Sequence, residues 1–109
     1  MIYKSMPDYQ LGKIYKIVCN LTGLTYYGSK CEPNLARRLA GHTGNFKLWK
    51  KDNTIQYMSS FKCLEGENYE IVLVEIFSCN SKMELHQRER VFIENNVCVN
   101  KTYSFENVY

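Results

Sequence analysis

A glutamate on a predicted helix late in the chain is the first candidate for chemistry. A capping pattern that begins at Ser81 predicts a helix to about Asn95. On a helical wheel, Glu89 falls inside the apolar stripe of this helix, between Phe92 and Ile93. A carboxylate is rarely buried unless it pairs with a cation or binds a metal. Glu89 is therefore either a metal ligand or a rim residue that pairs with a nearby arginine.

An arginine and a histidine one helical turn apart form a second candidate pair. Leu35 and Leu39 define the buried line of a predicted first helix, and Arg38 and His42 lie along one edge of it. Arg37 points the other way, towards solvent. The fork of N–H groups on an arginine matches the oxygens of a phosphate. The alternative is that Arg38 covers the rim of the core and that His42 is a residue favoured at a helix end.

Two tyrosines on a predicted hairpin supply the third element. Tyr15 shares a strand face with Ile17 and Cys19, and Tyr26 is expected diagonally across from it. A register shifted by one residue would place Tyr27 there instead, and both tyrosines could simply be core. Tyrosine has an ordinary pKa of about 10 and needs nearby positive charge to act as a base. One glutamate, one arginine, one histidine and one or two tyrosines together suit phosphodiester cleavage.

A hairpin and a helix in the first half of the chain must position these groups. β-branched and aromatic residues over 13–19 and 24–29, on either side of a glycine-bearing turn, predict two antiparallel strands. Pro33 opens the first helix, because proline is tolerated in the first helical turn. Gly41 and Gly44 mark its expected end.

The second half is expected to hold a third strand and the helix that carries Glu89. Residues 45–64 are mixed, and short helical pieces are expected around 46–49 and 57–64. Residues 69–77 are the strongest strand, apolar enough to predict a central position in the sheet. The order β-β-α-(α)-β-α predicts an α+β domain with a small three-stranded, largely antiparallel sheet flanked by helices.

Length and composition fit one soluble domain. We expect a single domain over residues 1–109, with an N-terminal lead at 1–10 and a C-terminal tail at 97–109. The 45% hydrophobic content excludes a disordered chain. Five widely spaced cysteines without a C-x-x-C pair indicate free thiols, and no run approaches the roughly 20 apolar residues that span a bilayer. An intracellular protein without a membrane partner is expected, and its net charge of +3 suits a polyanion.

The order and spacing of these residues resemble the GIY-YIG nuclease family. That family is named for two tyrosine motifs on a hairpin, which are followed by an arginine with a histidine or tyrosine four residues later, then a glutamate and an asparagine. The matching residues here are Lys13-Ile14-Tyr15, Tyr26-Tyr27-Gly28, Arg38 with His42, Glu89 in the Arg-Glu run of residues 88–93, and Asn100. The first motif lacks its own glycine, and Tyr27 stands where the family has isoleucine or valine. The resemblance covers roughly residues 11–100.

The resemblance implies a divalent-metal-dependent DNA endonuclease. Glu89 would be the sole protein ligand of one Mg²⁺ or Mn²⁺ ion, Arg38 would clamp the scissile phosphate, and Tyr15 would act as the base. His42 would share that duty or hold the phosphate, while Tyr26 would orient the water or Tyr15. The implied catalytic residues are Tyr15, Tyr26, Arg38, His42, Glu89 and Asn100.

Contacts to DNA are expected mainly at phosphates, from Lys13, Lys16, Lys30 and Arg37, with little sequence specificity. The alternative is a non-catalytic DNA-binding module that retains the nuclease fold.

Overall fold

A three-stranded antiparallel sheet carries the tyrosine hairpin. The computed structural model describes residues 8–52 and 55–100. A short 3-10 helix at Tyr9–Leu11 leads into the sheet. The remaining elements are β1 (Gly12–Cys19), β2 (Thr25–Cys31), α1 (Leu35–Asp52), α2 (Phe61–Leu64), β3 (Tyr69–Ile76) and α3 (Lys82–Asn95). The predicted α+β class and element order are confirmed.

β1 and β2 form the predicted hairpin. Ile17 pairs with Tyr26, and Tyr15 pairs with Gly28. The connecting turn holds Gly23 at a φ of 79°, a left-handed conformation that glycine adopts without steric cost. Because successive residues of a strand point to opposite faces, this register places Tyr15 and Tyr26 on the same face of the sheet.

β1, and not β3, is the central strand. The strand order is β2-β1-β3, and both pairings are antiparallel. The prediction that residues 69–77 form a central strand is therefore wrong. The residues of β3 are half-buried or exposed, whereas most of β1 is buried. An apolar run indicates that both faces of a strand are covered, but it does not tell on how many sides the strand finds a partner.

α1 extends well beyond its predicted end. It continues through Gly41 and Gly44, which were the expected end, to Asp52. Each glycine costs a helix about 1 kcal/mol relative to alanine. Beyond the glycines the helix buries Phe46 and packs Trp49 against the same core, and burying a large apolar side chain contributes about 1.5–3 kcal/mol. The aromatic residues therefore outweigh the glycines, and the predicted separate piece around 46–49 belongs to α1.

The two faces of the sheet carry separate hydrophobic cores. Tyr15 and Ile17 pack beneath α1 and α2, in a cluster that includes Phe46. Ile14 points to the opposite face and packs with Leu85 of α3. The sheet is thus covered by α1 and α2 on one side and by α3 on the other. A site that combines residues of α1 and α3 must therefore lie at the hairpin, which both helices contact.

The last helix begins as its sequence predicted. Ser81 is the N-terminal cap of α3, and its side chain accepts a hydrogen bond from the backbone N–H of Glu84. All five cysteines are free thiols, and four of them are buried. Within residues 8–52 and 55–100, no helix combines the length and apolar character that crossing a membrane requires.

Candidate active site

The hairpin register decides which tyrosines lie together. Tyr26 shares the face of Tyr15, and its ring meets His42 edge-on, with the centroids 5.4 Å apart. Tyr27 lies on the opposite face, where it stacks on Phe92 of α3 at a centroid distance of 6.1 Å. Of the two registers that the sequence left open, the structure has the one that brings Tyr26 to the site.

Gly28 makes room for the hydroxyl of Tyr15. It lies directly across from Tyr15 in the hairpin, and a Cβ atom at this position would collide with the Tyr15 hydroxyl and ring. The glycine of the second tyrosine motif is therefore required for space.

We predict that Gly28→Ala displaces the Tyr15 side chain, because strand pairing holds the backbone of both residues in place. Overpacking of this kind costs about 1–3 kcal/mol of the free energy of unfolding, which urea denaturation measures. The matched control is Gly44→Ala in α1, where a Cβ would meet nothing within 4 Å. That substitution should be neutral or stabilising. Equal effects of the two changes would contradict the steric role of Gly28.

The hydroxyl of Tyr15 is shared by two side chains of α1. Arg38 Nε donates a hydrogen bond to Tyr15 Oη at 2.9 Å, and His42 Nε2 lies 2.8 Å from the same oxygen. Tyr15 and His42 are buried, and Arg38 is half-buried. The predicted pairing of Arg38 and His42 along the helix edge is confirmed, and Arg37 is exposed as expected. The three groups thus form one hydrogen-bonded unit.

Burial controls the protonation of this unit. It raises the pKa of the Tyr15 hydroxyl, although Arg38 opposes the shift, and it raises the pKa of Tyr26 as well. Burial, with a contribution from Arg38, lowers the pKa of His42 to about 4. His42 is therefore a neutral imidazole at neutral pH, with one donor and one acceptor nitrogen.

Glu89 of α3 reaches the same region from the other side of the hairpin. It is half-buried, and its Oε1 accepts a hydrogen bond from Ser29 Oγ at 2.5 Å. The negative charge of Glu89 contributes to the raised pKa values of Tyr15 and Tyr26, so the carboxylate lies within electrostatic reach of both. Ser29, which follows the second tyrosine motif directly, is a site residue that the sequence analysis missed.

The arginines beside Glu89 have other partners. Arg88 makes two hydrogen bonds to Glu75 of β3, at 2.6 and 2.7 Å. Arg90 lies 3.8 Å from Glu94 on the solvent side of α3. Within residues 8–52 and 55–100, no ion pair joins Glu89 to an arginine, so the alternative of a rim residue bridged to a nearby arginine does not describe this part of the chain.

The donor set suits a metal that needs few protein ligands. Among residues 8–52 and 55–100, no group of three or more His, Cys, Asp or Glu side chains could hold a metal ion. Mg²⁺ is commonly bound through one or two carboxylates and keeps several of its waters. A single half-buried carboxylate beside the tyrosine cluster fits that mode, and it does not fit a closed zinc site.

Asn100 supports the hairpin at the outer edge of β2. Its Oδ1 accepts a hydrogen bond from the Tyr27 backbone N–H at 2.9 Å, and its Nδ2 donates to the Tyr27 carbonyl at 2.8 Å. The side chain therefore pairs with β2 as a short piece of a further strand would. Its contacts make Asn100 a positioning residue within the predicted set.

The four predicted DNA contacts occupy different places. Lys13 and Lys30 pair across the hairpin on the face of Tyr15, and Lys13 also donates to the Glu32 carbonyl at 2.6 Å. Lys16 lies on the opposite face, towards α3. Lys30 and Arg37 are exposed, whereas Lys13 and Lys16 are half-buried.

A serine from outside the predicted set completes the cluster. Ser60 precedes α2, and its Oγ lies 3.1 Å from His42 Nδ1. Both residues are almost fully buried, with exposed fractions of 1% for Ser60 and 3% for His42. A lone serine before a four-residue helix carries no sequence signal that could have predicted this contact.

The α+β fold and the grouping of tyrosine, arginine, histidine and glutamate suit a nuclease domain. The sequence model of the GIY-YIG catalytic domain matches residues 11–103, which is nearly the whole chain. The chain belongs to the GIY-YIG family, a nuclease family whose members are generally endonucleases. Such nucleases typically use a divalent metal, and their substrate is DNA. No match was found among curated proteins or among solved structures.

Proposed function

We propose that this protein is a DNA endonuclease that depends on one divalent metal ion, Mg²⁺ or Mn²⁺. The observation that carries the proposal is the Tyr15 hydroxyl held between Arg38 and His42, with the Glu89 carboxylate in electrostatic reach. Hydrolysis of a phosphodiester needs a base for the attacking water and positive charge around the phosphate. The cluster offers both types of group.

Glu89 is the residue that holds the metal in this proposal. When bound, the ion supplies positive charge to the scissile phosphate and to the leaving oxygen. The hydrogen bond from Ser29 fixes the orientation of the carboxylate. Residues that orient a ligand in this way contribute to metal affinity.

Arg38 clamps the scissile phosphate in this proposal. Its Nε–H holds the Tyr15 hydroxyl, so the same guanidinium fixes both the base and the phosphate relative to each other. Charge develops on the phosphate oxygens during attack, and a prepositioned guanidinium stabilises that charge.

Tyr15 and His42 act together as the base. The water oxygen attacks phosphorus while its proton passes to Tyr15 Oη, and the original Tyr15 proton passes to His42 Nε2. The bond from phosphorus to the 3′ oxygen breaks, and that oxygen takes a proton from solvent. The products carry a 5′-phosphate and a 3′-hydroxyl. Tyr26, whose ring packs edge-on against His42, keeps the imidazole oriented towards Tyr15.

Cleavage of a supercoiled plasmid with and without Mg²⁺ tests the function. Nicking that requires the metal supports an endonuclease. DNA binding without cleavage under Mg²⁺ or Mn²⁺ would instead indicate a binding module that has kept the nuclease fold.

Recognition of DNA is proposed to rest on phosphates rather than on bases. The exposed Lys30 and Arg37, with Lys13 and Lys16, supply the contacts, so cleavage should show little sequence preference and should weaken steeply with salt.

The two neighbouring arginines of α1 provide an internal test of the phosphate clamp. Arg38→Ala should lower the cleavage rate about 100-fold, in the range found when one prepositioned donor to a developing charge is removed. Arg37→Ala, on the exposed side of the same turn, should change the rate little and should mainly weaken DNA binding. Single-turnover cleavage separates the two effects. A larger loss of rate in Arg37→Ala would contradict the assignment of Arg38.

A further inference from the structure

Ser60 makes a hydrogen bond that serves His42 and not its own helix. It stands at the N-terminal cap position of α2, but its side chain makes no capping hydrogen bond there. The hydroxyl instead meets His42 Nδ1 at 3.1 Å, in a place where Ser60 is only 1% exposed. A buried hydroxyl without a partner is costly, so this contact accounts for a serine in the core.

The direction of each hydrogen bond in the cluster follows from the chemistry of its donors. A guanidinium only donates, so Tyr15 Oη must accept from Arg38 Nε. The single proton of the Tyr15 hydroxyl then has His42 Nε2, at 2.8 Å, as its acceptor. A neutral imidazole has one acceptor nitrogen and one donor nitrogen, so the ring proton is on Nδ1 and is donated to Ser60 Oγ.

We propose that Ser60 is a positioning residue that stabilises the Nδ1-protonated tautomer of His42, by accepting its ring proton, and thereby keeps Nε2 available to the Tyr15 proton. The inference rests on the proposed nuclease function and extends it to a residue that lies two side chains away from the attacking water. The acceptor oxygen of Ser60 serves the neutral imidazole and also the imidazolium that forms when Nε2 takes the proton.

Other charged and titratable groups around His42 come from different elements. Arg38 lies on the same helix, Tyr15 and Tyr26 approach from the sheet, and Glu89 acts through the tyrosines from α3. Within residues 8–52 and 55–100, the hydrogen-bond partner of His42 Nδ1 is Ser60. Ser60 is therefore the acceptor that holds the ring proton on Nδ1, in the direction that Arg38 and Tyr15 set.

Nitrogen NMR of the ¹⁵N-labelled full chain measures the tautomer directly, without any cleavage. The chain has only two histidines, so a His86→Gln variant assigns the signals of His42. The wild-type protein should show a protonated Nδ1 and an unprotonated Nε2. Ser60→Ala should lose this preference, and Ser60→Thr, which keeps a hydroxyl, should restore it. A protonated Nε2 in the wild type, or an unchanged ring in Ser60→Ala, would overturn the proposal.

A double-mutant cycle tests whether Ser60 acts through His42 in cleavage. Ser60→Ala should lower the single-turnover rate about 10-fold in the wild-type background, and less than about 2-fold in a His42→Ala background, because coupled residues are not additive. Ser59→Ala, at the adjacent half-buried serine, is the matched control and should retain the wild-type rate. Additive losses would make Ser60 a purely structural residue.

The two measurements separate this proposal from the proposed function. If the protein shows the predicted tautomer but does not cleave DNA, the nuclease function is refuted and the role of Ser60 towards His42 still holds. Normal cleavage with the opposite tautomer would refute only the role of Ser60.

Discussion

Glu89→Gln is expected to abolish metal-dependent cleavage while the fold and the affinity for DNA stay close to wild type. Glutamine keeps the shape of the side chain and an oxygen that can accept the hydrogen bond from Ser29. It lacks the negative charge with which a single carboxylate retains a divalent cation. Charge stabilisation by a metal contributes several kcal/mol, so we expect the rate to fall about 10³-fold or more.

A second glutamate on the same helix serves as the control for this change. Glu94 is largely exposed and lies beside Arg90, so Glu94→Gln should cut DNA at the wild-type rate. Plasmid nicking over a Mg²⁺ titration measures the rate, and fluorescence anisotropy with labelled DNA measures binding. Undiminished nicking by Glu89→Gln at low Mg²⁺ would remove Glu89 as the metal ligand.

Tyr15→Phe should lower the cleavage rate about 10³-fold, within the range attributed to a positioned general base. The ring of Tyr15 is fully buried and would remain packed, so the substitution removes only the hydroxyl that Arg38 and His42 share. The loss of these two hydrogen bonds should also cost about 1–3 kcal/mol of the free energy of unfolding.

Tyr27→Phe is the matched control, because Tyr27 lies in the same hairpin but faces α3. Single-turnover rates at saturating Mg²⁺, together with urea unfolding of both variants, distinguish a chemical effect from a loss of folded protein. If Tyr15→Phe cuts DNA as fast as Tyr27→Phe, Tyr15 is not the base.

Local patterns predicted the elements of this fold well, but they did not predict how far helices extend or how strands are ordered. The hairpin and the start of α3 follow from a turn glycine and a serine cap, which are local signals. The length of α1 depends on Phe46 and Trp49 finding a core made by distant residues, and no local rule weighs that gain against Gly41 and Gly44. The central place of β1 likewise depends on a pairing with β3, whose residues lie fifty or more positions later in the chain.

The contacts of the candidate site also fall into those that local sequence patterns predicted and those that they did not. Helical and strand periodicity predicted that Arg38 with His42, and Tyr15 with Tyr26, share a face, and the structure has both pairs. The sequence left two hairpin registers open, and the structure has the one that places Gly28 opposite Tyr15, where it leaves space for the tyrosine hydroxyl. The contact of Ser60 with His42 could not be predicted in this way, because a single small polar residue in a distant segment belongs to no periodic pattern.

The pairing of Asn100 with the backbone of Tyr27 also bears on whether a strand of another molecule can add to the sheet. β2 is an edge strand, and an open edge exposes N–H and C=O groups to which a strand of another molecule can add. Asn100 occupies both groups of Tyr27 in the middle of that edge. A strand of another molecule that added to this edge would first have to displace this side chain, so the residue that steadies the hairpin also blocks one pairing position on the edge of the sheet.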